Sequence, residues 1–215
     1  MTRAVVFDLW DTLVDYDDRR SREFSASVAR LCGRDPDEFH DVWIEGRPAR
    51  ETGPMAPYLA SLGVEEDAMQ HFLELRRDWT RGMLAAPREG VVDTLGELGQ
   101  RGIRTALITV CSEDVVDVWQ ETPFAGLFDA EVFSASCGLR KPDARIYRLA
   151  LDELGVEPTD ALFVGDGAND ELAGAERVGM RAVLIHRPDA EPAWPEVRDW
   201  SGPRITAIPE VLELV

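Results

Sequence analysis

From about residue 88 onward, short apolar runs alternate with segments of helical periodicity, and no other feature constrains this 215-residue chain as tightly. Ile103–Thr109, Ala130–Ser134, Ala161–Gly165 and Arg181–Ile185 read as strands, and Arg3–Asp8 adds a fifth near the N-terminus. The runs are continuously apolar rather than alternating, which suits a sheet covered on both faces. Between them, Gly90–Gly102, Asp143–Leu154 and Ala168–Val178 carry apolar residues at helical spacing, and Gly179 reads as a helix stop. Strand and helix in regular succession predict a parallel α/β sheet.

Residues 15–87 break that rhythm. They are helix-compatible, contain no convincing strand, and are divided by Pro36, Pro48, Pro54 and Pro57. A helical stretch inserted straight after the first strand is expected to form a small cap domain, leaving 1–14 and 88–215 as the core. There is no internal repeat or low-complexity tract. The segment Pro188–Pro203, rich in Pro and Trp, reads as irregular, with a short helix near Pro209–Leu214.

Composition narrows the partners. The formal net charge of −18 repels nucleic-acid backbones and anionic membranes, although a small phosphate ligand answers to local charge instead. No run approaches 18 apolar residues, and Met-Thr-Arg before Ala4 is too short for a signal peptide. Three widely spaced cysteines with no C-x-x-C argue against a disulfide framework or a structural zinc site. A soluble, cytoplasmic protein is the simplest expectation. Among 23 basic residues the single lysine is Lys141.

Four segments fall at the C-terminal ends of predicted strands, where open α/β sheets place ligands. They are Phe7–Leu13, Leu107–Val110, Gly138–Asp143 and Val164–Asp170. Together they supply a carboxylate that can attack phosphorus, a hydroxyl, the lone ammonium, and two further carboxylates. Carboxylates gathered without basic neighbours need a cation, and hard oxygen donors suit Mg²⁺. Read singly, each motif has a plainer meaning: Asp8 as a turn cap, Thr109 as a strand residue, Asp166 and Asp170 as helix N-terminal acids.

In this order the four motifs resemble the haloacid dehalogenase superfamily, most of whose members are Mg²⁺-dependent phosphatases with a Rossmann-like core. The insertion is similar to that family's helical, C1-type cap. The resemblance implies that Asp8 is the nucleophile forming an aspartyl-phosphate, that Thr12 supports the phosphate loop, and that Thr109 binds phosphate. It implies that Lys141 bridges nucleophile and phosphate. It also implies that Asp8, Asp166, Asp170 and the backbone carbonyl of Trp10 hold Mg²⁺.

The chain departs from the family at residue 10, where phosphatases carry an Asp that protonates the leaving oxygen and then activates water. Trp10 can do neither, a loss that commonly costs about 10²–10⁴-fold. Asp11 lies one position on and is expected to point elsewhere. Val110 stands where the family usually has Asn. Trp43, Arg47 and Arg50, in a Gly/Pro-broken part of the insertion, are candidates to contact the substrate, as are Trp10, Asp11 and Val110. His40, His71 and His186 show no ligand spacing, and Asp15, Asp17 and Asp18 read as a solvated loop.

The functional expectation is a phosphatase of small phosphorylated metabolites, slow or dependent on a good leaving group. The alternatives are a 2-haloacid dehalogenase-like enzyme, also aromatic two residues after its nucleophile but metal-free, and a phospho-ligand binding protein silenced by Trp10. A lysine-dependent phosphonate cleavage is excluded because the insertion contains no lysine. Cap closure is expected to pivot near residues 14–17 and 85–90.

Overall fold

The computed structural model describes residues 1–186 and 194–215. The strands are β1 (Ala4–Phe7), β2 (Arg104–Thr109), β3 (Ala130–Phe133), β4 (Ala161–Gly165), β5 (Arg181–Ile185) and β6 (Arg204–Ile205). They form one parallel sheet in the order β3-β2-β1-β4-β5-β6. Helices α1 (Asp18–Leu31), α2 (Pro36–Glu45), α3 (Arg47–Arg50), α4 (Met55–Ser61) and α5 (Glu66–Leu84) make up the insertion. The core helices are α6 (Val91–Gln100), α7 (Glu113–Val118), α8 (Ser134–Cys137), α9 (Ala144–Leu154) and α10 (Glu171–Arg177).

The continuous apolar runs have the cause expected of them. Successive strand residues point to opposite faces, so Val5 and Phe7 join one apolar cluster while Ala4 and Val6 join another, and all four are fully buried. Leu95, Leu98, Val115 and Val118 of α6 and α7 cover the first face. Ile146, Tyr147, Ala150, Leu172 and Ala175 of α9 and α10 cover the second. The insertion has its own cluster, built around Phe24, Val28, Phe39, Trp43, Leu59 and Phe72. Polar caps set its helix starts: Asp17 accepts from Arg20 N at 3.0 Å, and Asp35 accepts from Asp37 N and Glu38 N just before Pro36.

α5 belongs to both layers. Its first half packs in the insertion cluster, while Arg76, Arg77 and Arg81 pair with Asp114, Asp117 and Glu121 in and after α7.

Three details differ from expectation. β6 is only two residues long, too short to show a period. The helix expected from Ala168 begins at Glu171, after a 3₁₀ turn in which Asn169 and Asp170 are both left-handed at φ 55°. The terminal helix is a 3₁₀ helix over Ile208–Glu213. Of the segment expected to be irregular, residues 188–193 lie outside the described residues, and 194–203 hold one 3₁₀ turn at Pro195–Val197.

The chain leaves β1 toward β2 and β3, then returns to place β4 on the other side of β1. The strand order therefore reverses beside β1, and the crevice at its C-terminal edge is where a sheet of this kind takes its ligand.

Candidate active site

Asp8 is the first residue after β1. Its N–H donates to Val164 O at 2.9 Å, which continues the ladder to β4 and fixes where the carboxylate emerges. Lys141 is 3% exposed. Its ammonium donates to Asp8 Oδ1 in a short contact, to Glu171 Oε2 at 2.5 Å and to Ile108 O at 3.2 Å. Burial alone would push the lysine down, but Asp8 and Glu171 together outweigh it and hold the ammonium well above its usual range. Among the described residues, its direct ion pairs are with the two carboxylates it bridges.

Asp166 completes an acidic set. One oxygen each from Asp8, Asp166 and Glu171 lies within 4.8 Å of the other two. Burial, reinforced by Asp8, pushes Asp166 up to about 6, against the opposing hydrogen bond from Trp194 Nε1 at 2.5 Å. Burial also raises Glu171, with Lys141 opposing and Asp8 and Asp166 adding to the rise.

Asp170, expected among these ligands, is not one of them. Its left-handed backbone turns the side chain outward, where it is half exposed and paired with Arg177 at 3.1 Å. The same turn swings Glu171, the next residue, into the fully buried position. Gly165 makes room, since a Cβ there would overlap the Glu171 carboxylate. Glu171 then accepts from Gly167 N at 2.9 Å. Two adjacent acids offered spacing nothing to choose between, and only the turn decides which one faces inward.

Thr12 and Thr109 are fully buried, and neither hydroxyl has a partner among the described residues. Orphaned buried hydroxyls are uncommon, and here they flank the Asp8 loop.

A cavity of about 320 Å³ opens above this floor. Asp8, Lys141 and Asp166 line it, together with Trp10, Asp11, Val110, Arg47 and Arg50 from the expected set. Trp10 meets Tyr16 edge-on, with ring centroids 5.7 Å apart. Asp11 does not diverge from Trp10 as strand alternation would require, because β1 has already ended and Asp11 is left-handed at φ 56°. Its Oδ1 accepts from Tyr16 N at 3.1 Å. Burial raises its carboxyl, with the Tyr16 N–H and Arg88 opposing.

Trp43 is a correction. It is 1% exposed inside the insertion cluster, against Phe24, Phe39, Tyr58 and Phe72, and does not line the cavity. The burial drive of the indole outweighs the broken character of the surrounding sequence. The sequence reading missed Arg76, Arg140, Glu51, Ser112 and Trp194, all of which line the cavity. Arg140 lies inside the Gly138–Asp143 motif without having been singled out, and the others come from helix faces or loops with no motif of their own.

The arrangement is a buried carboxylate held by an ammonium, a cluster of hard oxygen donors beside it, and a partly open cavity above them. Comparison with known proteins agrees. A family profile of haloacid dehalogenase-like hydrolases matches residues 2–179. Phosphoglycolate phosphatase 1 of Pseudomonas aeruginosa is 32% identical over 207 residues, covering 90% of this chain and 75% of that one. Phosphoserine phosphatase of Thermus thermophilus is 37% identical over 111 residues, and the match spans 48% of this chain but only 43% of that relative's length. A phosphatase structure from Thermococcus onnurineus superposes with TM-score 0.71 at 20% identity, covering 100% of this chain and 97% of that one. A 2-haloacid dehalogenase structure from Pseudomonas syringae gives 0.70 at 23%, covering 100% and 98%. The two structural scores show a shared fold and do not separate the two chemistries. With its motifs on the edge of this sheet and a family match across most of its length, the chain belongs to the haloacid dehalogenase-like hydrolases.

Proposed function

We propose that the protein is a Mg²⁺-dependent phosphatase acting on a small phosphorylated metabolite through Asp8, in the cytoplasm, where its three free thiols suit a reducing medium. One observation carries the reading. Lys141 is spent on Asp8 and Glu171, yet a third carboxylate, Asp166, sits in the same cluster. Like charges this close stay ionised together only beside a further cation, and oxygen donors of this kind suit Mg²⁺. Asp8, Asp166 and the Trp10 carbonyl would hold it, with Glu171 in the part expected of Asp170. A bound ion of this kind supplies positive charge to the phosphoryl oxygens.

The chain's own residues do the rest. Asp8 attacks phosphorus, and the bond to the leaving oxygen breaks with its electron pair on that oxygen. Lys141 fixes the Asp8 carboxylate and offsets charge on the transferring group. The Thr12 and Thr109 hydroxyls, buried and without a partner among the described residues, are read as the donors to phosphate. Trp10 carries no proton for the leaving oxygen, so aryl and acyl phosphates, which leave as weak bases, are the favoured substrates. Water then attacks the aspartyl-phosphate, freeing Asp8 and inorganic phosphate. Helices α1 to α4 form the part that opens and closes, while the pairs between α5 and α7 hold the far half of α5 to the core.

The phosphatase relatives support this reading. Phosphate release from an alkyl, an aryl and an acyl phosphate, with and without Mg²⁺, tests it beside an Asp8→Asn control. The expected order is acyl and aryl well above alkyl, all lost with the metal. Halide released from a 2-haloacid in the absence of metal would establish the dehalogenase reading instead. Tight phosphate binding with no turnover of any ester would establish the silent binding protein.

A further inference from the structure

We infer that the substrate carries a second anionic group, a carboxylate or a phosphate, bound by arginines on the insertion side of the cavity. The inference rests on the phosphatase reading and adds the substrate class to it. Four guanidiniums line that side: Arg47 and Arg50 from α3, Arg76 from α5, and Arg140, which directly precedes Lys141. Two carboxylates answer them. Asp114 pairs with Arg76 at 3.0 Å, and Glu51 is shared between Arg140 at 2.9 Å and Arg47 at 4.0 Å. Arg50 is left without a carboxylate in ion-pair range among the described residues.

Arg50 is also the most deeply buried of the four, at 4% exposure. Its Nη1 donates to Trp43 O at 2.5 Å, and its guanidinium lies 4.4 Å over the Trp43 ring, which orients the fork. Its Nε has no hydrogen-bond partner. Burial pushes the group down to about 10, with Arg76 adding to the fall and Glu51 opposing it. Arg140 Nε is likewise unpartnered. A buried cation at a cavity wall, with a donor that meets neither protein nor solvent, is a costly arrangement that a bound anion would relieve. Arg76 and Arg140 are stapled to their acids, which leaves Arg50, with the half-exposed Arg47 beside it, as the open half of the subsite.

Steady-state kinetics with Mg²⁺ on matched pairs tests this. Ethyl phosphate is set against 2-phosphoglycolate, which adds a carboxylate, and propyl phosphate against propane-1,3-diyl bisphosphate, which adds a phosphate. p-Nitrophenyl phosphate serves as the general turnover control. For at least one pair the doubly anionic member should show a KM at least about tenfold lower, the weight of one charge-assisted contact. Arg50→Gln, and separately the fold-safe Arg47→Gln, should raise that KM by about tenfold, and by more than they raise the KM of the singly charged partner. The pair that discriminates tells carboxylate from phosphate. Equal KM values within both pairs, alongside normal p-nitrophenyl phosphate turnover, would overturn the inference and leave the phosphatase reading standing. So would variants that impair both members of a pair alike. Failure to turn over any ester would remove the phosphatase reading and the inference with it.

Discussion

The two sides of the cavity solve the same physical problem in opposite ways. On the sheet side, three carboxylates crowd around one ammonium. On the insertion side, four guanidiniums share two carboxylates. Among the described residues, each side is left with a local surplus of charge, negative on the sheet side and positive on the insertion side. The sheet side stands on β1 and β4, and its positions are dictated by ladder hydrogen bonds that tolerate no slip. The insertion side draws Arg47 and Arg50 from the short α3, Arg76 from the long α5 and Arg140 from a core loop, with Arg50 over Trp43 and Arg76 over Trp79. On the proposed function, the difference assigns reaction type to the sheet side and substrate choice to the insertion side. Such a division fits a fold that hosts many chemistries.

Lys141→Met gives the largest effect and breaks the sheet side. It leaves Glu171 buried without its cation, which should cost about 3–5 kcal/mol of stability. Activity should fall by at least about 10²-fold on every substrate alike. Denaturant unfolding and phosphate release measure the two losses, and a variant that lost activity on one substrate class only would erase the distinction between the sides. Next, Trp10→Asp restores the acid that the chain lacks. Turnover of ethyl phosphate should rise by about 10²-fold, with little change for an acyl phosphate, since general acid catalysis serves only poor leaving groups.

Glu171→Gln against Asp170→Asn comes third. The first should lower activity by at least about tenfold, and the second should stay within about twofold because Asp170 faces Arg177 at the surface. Equal losses would return Asp170 to the site. The smallest effect concerns pH. Asp166 is raised above its unfolded value, so the folded state keeps a proton that the unfolded chain releases between about pH 4 and 6. Stability of the metal-free protein therefore falls as pH rises through that window, by about 3 kcal/mol. Added Mg²⁺ should raise Tm by a few degrees more at pH 7.5 than at pH 5, about 2–4 °C per kcal/mol. A Tm gain independent of pH would disconnect Asp166 from the cation.

The sheet side was the legible one. Asp8, Thr109, Lys141 and Asp166 each follow a recognisable strand or a Lys-Pro step, and strands announce themselves through continuous apolar runs. The structure departs from the reading between Asp170 and Glu171, where a left-handed turn of two non-glycine residues leaves no trace in composition. The insertion side was nearly silent. Arg47 and Arg50 drew attention only through the broken sequence around them. Arg76 looked like any arginine of an amphipathic helix, and Trp43 drew a substrate role that packing denies it.

The sequence by itself determined the layered parallel fold, the helical insertion and the order in which chemical groups reach one edge of the sheet. These depend on local periodicity and on the alternation of apolar runs, which any short window of the chain displays. Tertiary structure alone decided which acid of an adjacent pair turns inward, that Asp11 shares a cavity with Trp10, and that Arg50 is buried without a counter-ion. Those outcomes depend on backbone turns and on contacts between residues far apart in the chain, whose energies no local pattern contains.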